Sequence, residues 1–238
     1  MADGSTRTQA VRAPLPHDSA LAHVAGAATY IDDIAETAGL LHLAFGKSAQ
    51  ANALVRSMDL TAVRAAPGVV AVFTVADIPG ENNVGPVAHD DPLLADGEAT
   101  FVGQPLFIVA ATSCKAARMA ALLGKVEYET RPVLVTAQQA LDAGAFIEAS
   151  QYISRGDPDR ALANAAHRVQ GELEMGGQDH FYLEGQIALA TPGEDGQVHI
   201  LSSTQHPSEV QHLVANLLCV TSADVTVEVR RIEGSGPS

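Results

Sequence analysis

Cysteine is scarce in this chain of 238 residues: Cys114 and Cys219 lie far apart, and no Cys-x-x-Cys pair occurs. That excludes a disulfide framework and a zinc or iron–sulfur ligand set, and leaves two buried thiols behaving as small hydrophobes as the expectation. Basic residues are few as well. Fourteen Lys and Arg against 28 Asp and Glu give a net charge of −14, which argues against non-specific binding to nucleic acid or an anionic membrane surface. No apolar run approaches bilayer length; the longest, such as Leu106–Ala111, is strand-sized. The polar start, Met1–Val11, lacks the apolar segment of a signal peptide, so a cytoplasmic location is expected. Dinucleotide and phosphate-loop glycine patterns, His-Glu-x-x-His and Gly-x-Ser-x-Gly are all missing.

What is present suits a folded protein. Apolar residues make up 47% and charged residues 18%, at a length that accommodates one large domain or two modest ones. A strand is expected over 40–45, closed by Gly46, and a short helix over 59–66, started by Asp59 and ended by Pro67-Gly68. Val69–Thr74 reads as a strand and Ile78–Gly97 as a long surface loop. Leu106–Ala110 is apolar throughout, the pattern of a strand buried on both faces. Ser113 then caps a helix to about Leu123, whose Ala117, Ala120, Ala121 and following Gly124 form a small-residue stripe suited to lying close on a sheet. Strands follow at 126–128 and 132–135. Mixed elements of this kind predict an α+β fold.

Residues 138–156 show little periodicity and read as a connection. Beyond them, Asp157-Pro158 opens a helix, and 167–175 alternates like a strand. Strands at 187–190 and 198–202 flank a turn at 192–196. Pro207 starts a helix with Val210, Leu213, Val214 and Leu217 on one face, and alternation at Val225, Val227 and Val229 gives a last strand.

Three places have side chains suited to chemistry. Asp32-Asp33 suits a metal or acid–base site, or a turn and cap, since adjacent carboxylates diverge on most backbones. His180 lies in Gly176–Gln186 without metal-partner spacing, so a catalytic and a hydrogen-bonded structural role both stand. Ser202-Ser203-Thr204-Gln205 sits between an apolar strand and the helix at Pro207. A polar side chain there faces a ligand together with free backbone N–H groups, or is a solvated glutamine where the helix starts.

Several stretches, in order, resemble the molybdenum-binding large subunit of the xanthine dehydrogenase/aldehyde oxidase family, in its bacterial xanthine dehydrogenase form. They are Pro14–Ala20, Gly26–Asp33 (GAATYIDD), Leu41–Gly46, Pro67–Thr74, Val102–Ala111 (VGQPLFIVAA), Arg155–Asp157, Gly176–Gln186 (GGQDHFYLEGQ) and Ser202–Gln211 (SSTQHPSEVQ). The resemblance spans about 14–231. It implies an arm at 1–13, an α/β hammerhead domain at 14–137, a linker at 138–156, and the first, incomplete part of a molybdopterin-binding domain at 157–231. It also implies that Gln205 hydrogen-bonds an oxo ligand of molybdenum without touching the metal, and that FAD and 2Fe-2S clusters reside on a separate small subunit. Xanthine or hypoxanthine is the implied substrate, in purine catabolism, with aldehydes or other aromatic heterocycles as the alternative.

After Arg230-Arg231 the family continues into a Gly-Gly-Phe-Gly-Gly-Lys-Glu loop. Here Ile232–Ser238 follows instead, a tail expected to arise from a frameshift, a pseudogene end or an added linker. No catalytic residue and no direct metal ligand is therefore expected in these residues, and the chain alone is expected to be inactive. A non-catalytic binding or assembly module is the reading from a different class.

Overall fold

The computed structural model describes residues 14–85, 87–178 and 185–230, and its contacts divide the chain into two units. One holds residues 39–181 with 217–219; the other holds 1–38, 182–216 and 220–238. Residues 14–38 cluster by contacts with the smaller unit, where a short helix, α1 (Ala20–Val24), and a helical turn at Ile31–Asp33 precede the sheet.

The larger unit contains two three-stranded antiparallel sheets. In one, β5 (Pro105–Ala111) lies between β1 (His42–Lys47) and β3 (Val69–Phe73). In the other, β2 (Ala53–Asp59) lies between β4 (Glu98–Ala99) and β6 (Lys125–Thr130). The continuous apolar run is the central strand, and Leu106, Phe107, Val109, Ala110 and Ala111 on it are buried, as its lack of alternation predicts. Helix α3 (Cys114–Ala121) starts where Ser113 Oγ accepts from Ala116 N at 3.1 Å. Its Ala117 and Ala120 are buried, so the small-residue stripe does bring helix and sheet close. Helix α2 (Thr61–Arg64) is shorter than expected, but Asp59 does accept from Thr61 N, at 2.9 Å.

Phe107 decides the packing. Its ring is 2% exposed, and it fills the space over two glycines that have no side chain to obstruct it. A Cβ added at Gly46 would lie 2.0 Å from the ring, and one at Gly124 would lie 2.7 Å from it. Gly46 thus does not close β1: it sits within the strand, opposite Phe107, because the ring needs its place. The motif glutamine Gln104 is also structural. It is 2% exposed, and its Oε1 accepts from Thr100 N at 2.7 Å. The long loop expected at 78–97 is pinned across its middle by Asn82, which donates to Leu94 O at 2.7 Å and accepts from Leu94 N at 3.0 Å.

Several expectations need correction. Residues 132–135 form no strand: the ladder ends with Arg131 N on Asn52 O (2.9 Å) and Asn52 Nδ2 on Pro132 O (2.8 Å), and Pro132 has no N–H to extend it. The connection at 138–156 contains a helix, α4 (Ala137–Ala143). It is started by a Thr136/Gln139 capping box and stopped by Gly144 at φ 63°. Residues 167–175 are not in a sheet: they pair with no described strand. Both cysteines are exposed rather than buried.

In the other unit, β7 (Ala188–Pro192) pairs antiparallel with β8 (Val198–Ser202), and β8 pairs parallel with β9 (Val225–Glu228). The parallel pair is joined across helix α6 (Pro207–Leu218), since parallel neighbours require a crossover. Ile200, Ala215 and Val225 are the buried centre, with Val198, Val214, Val220 and Val227 packed against them. Helix α5 (Pro158–Asn164) belongs to the larger unit, capped as expected by Asp157, which accepts from Arg160 N at 2.9 Å. Among the described residues, no helix is long and apolar enough to cross a membrane.

Candidate cofactor-facing corner

The strand-to-helix corner at 202–207 is built residue by residue from its own hydroxyls. Ser202 ends β8 opposite Ala188. Ser203 Oγ accepts from Ile187 N at 3.0 Å and is also within 3.1 Å of Gly185 O, while Ser203 N donates to Ile187 O at 3.1 Å. This fastens the chain to the start of β7. Thr204 Oγ1 accepts from His206 N at 3.1 Å, turning the backbone toward α6, whose first residue is Pro207. Gln205 is left between these two fixed points. Its side chain is exposed and makes no hydrogen bond among the described residues. The corner lies at the carboxyl end of a strand in a parallel pair and at the amino end of the crossover helix, where ligands are characteristically held in α/β units.

Gln211, in the same motif, has a role that its position in the sequence did not reveal. Its Nε2 donates to Ser222 O at 2.9 Å and to Val225 O at 2.8 Å. Both amide hydrogens are thereby spent holding α6 against the return into β9. The signal for it was its place on the helix: Gln211 shares a face with Val214 and the buried Ala215, three and four residues on, so its amide is turned toward the fold.

A concavity in this unit gathers two of the recognised stretches and the end of the last strand. Thr29, Tyr30, Ile31 and Ile34 form one wall, Leu201 and Ser202 come from the end of β8, and Glu228 and Arg230 come from the end of β9 and beyond. Gln205 is not among its lining residues, although it follows Ser202 by only a few positions. Glu228 accepts from Arg230 Nε at 2.9 Å and faces His199 Nε2 at 3.5 Å. The hydrogen bond from Arg230, then the charges of Arg230 and His199, hold its carboxyl below the usual 4.5.

Of the other candidates, Asp33 serves as a cap: its Oδ2 accepts from Tyr30 N at 2.9 Å, which fixes the turn at the edge of the concavity. Asp32 lies in the first turn of that helical segment. The described residues contain no group of three or more His, Cys, Asp or Glu able to hold a metal ion. His180 lies outside the described residues, as do Asp179 and Phe181–Glu184 of its motif, Arg231 and the tail at 232–238.

Comparison with known proteins defines the class first. Residues 143–235 match the molybdopterin cofactor-binding domain, and residues 25–132 match the aldehyde oxidase and xanthine dehydrogenase a/b hammerhead domain. Xanthine dehydrogenase of Drosophila subobscura is 39% identical over 224 residues, covering 93% of this chain and 17% of that protein. Among solved structures, the aldehyde oxidoreductase of Desulfovibrio gigas superposes with a TM-score of 0.76 at 26% identity, over 90% of this chain and 26% of its own. Quinoline 2-oxidoreductase of Pseudomonas putida 86 gives a TM-score of 0.74 at 28% identity, over 90% of this chain and 29% of its own. The family so defined is one of molybdopterin-dependent oxidoreductases. The chain belongs to the aldehyde oxidase/xanthine dehydrogenase family, and carries its hammerhead domain and the start of its molybdopterin-binding domain. It spans about 17% of the length of that curated relative.

Proposed function

We propose that these residues supply the hammerhead domain and one wall of the molybdenum-cofactor cavity of a xanthine dehydrogenase-type hydroxylase, and that they do not turn over substrate alone. The observation that carries this reading is the corner at 202–207, where Gln205 is an exposed amide with no hydrogen-bond partner among the described residues while its neighbours are tied down. A donor held in that way suits a cofactor bearing oxygen acceptors, so the residues present fit the group. When bound, the cofactor supplies the two-electron redox chemistry of hydroxylation.

The chain's own residues do the positioning. Ser203 and Thr204 fix the backbone on either side of Gln205, so its amide loses little freedom on donating to the cofactor. Gln211 holds α6 in register with β9 and thereby steadies the start of the helix. Purines such as hypoxanthine and xanthine are the proposed substrates, on the strength of the 39% identity to a xanthine dehydrogenase. The likeness to aldehyde and quinoline oxidoreductases supports the second reading, an aldehyde or aromatic-heterocycle hydroxylase. FAD and 2Fe-2S groups would be held on a small partner subunit and would supply the electron acceptor.

The test is a chimera in which residues 14–230 replace their counterpart in the Drosophila subobscura enzyme. Gln205→Ala in that chimera is expected to retain molybdenum by elemental analysis and to lower hypoxanthine oxidation roughly 10- to 100-fold. Unchanged turnover in the variant overturns the role of Gln205. Hypoxanthine oxidation by the 238-residue chain alone overturns the proposal as a whole.

A further inference from the structure

We draw no further inference here: the strongest candidate, the concavity lined by Tyr30, Ile34, Ser202, Glu228 and Arg230, lies in a domain of which this chain carries only the start, and nothing in the structure shows what covers it.

Discussion

Replacing Gly46 by alanine tests the packing around Phe107 more sharply than truncating the ring does. The new methyl carbon would lie 2.0 Å from the ring, well inside the ~3.5 Å at which two carbons rest comfortably. The ring has no room to retreat: it is 2% exposed, and the position of a Cβ on Gly124 lies 2.7 Å from it on another side. Relief requires moving the central strand β5 away from β1 or α3, and overpacking of this kind costs about 1–3 kcal/mol or more. Phe107→Ala alone empties the site and costs about 3–5 kcal/mol. With the ring gone, Gly46→Ala has nothing to strike. Its cost should fall to about zero, or reverse slightly, because alanine is better than glycine in a strand by ~0.5–1 kcal/mol. Urea unfolding of the four members of the cycle, followed by far-ultraviolet circular dichroism, therefore gives a coupling of about 2 kcal/mol or more. Additive effects would refute the account, since they would mean that the ring does not occupy the space glycine leaves.

Other outcomes follow from the same contacts. Gln211→Ala strips the donors from Ser222 O and Val225 O and should destabilise the smaller unit by about 1–3 kcal/mol, seen as faster amide exchange over 220–228. Asn82→Ala removes both bonds to the Leu94 backbone and should loosen the loop at 78–97 before anything else, read by its exchange or by proteolysis within it. Glu228 has a carboxyl pKa held below 4.5, chiefly by Arg230, so its contribution is complete above that value. It is lost as pH falls through the lower folded value; the stability difference between wild type and Glu228→Gln should accordingly shrink on acidification below 4.5 and be constant above it. Amides at 168–175 should exchange almost unprotected in dilute solution while those of β5 exchange slowest, and comparable protection in both would contradict the open geometry.

What could be read in the sequence depended on how far apart the interacting residues lie. The buried central strand at 105–111, the cap of α3 at Ser113 and the start of α5 at Asp157 are local signals, and each occurs where its residue types predict. The capping box of α4 was equally local, a threonine followed three positions later by glutamine, but small polar residues around it concealed the helix. Alternation at 167–175 describes what a segment suits and not whether an edge exists to receive it. Gly46 looked like a strand terminator because the reason for it, the ring of Phe107, is distant in sequence. The position of residues 14–38 in the smaller unit likewise rests on contacts with chain beyond 182, which no local pattern reports.

The same distinction explains why the corner at Gln205 was legible as a place but not as a mechanism of placement. A strand, a short polar run and a proline-started helix mark a strand-to-helix corner from sequence alone. The precision of that corner comes from two hydroxyls with opposite reach: Ser203 ties backward to Ile187, and Thr204 ties forward to His206. Alanine at either site would leave the secondary structure intact and still let the glutamine wander. Serine and threonine are therefore required beside Gln205 for a geometric reason, while the glutamine, with no bond of its own in the described fold, is the member of the run that the fold does not need. On the proposed function, that free amide, held out by neighbours the fold does need, is the group offered to the cofactor.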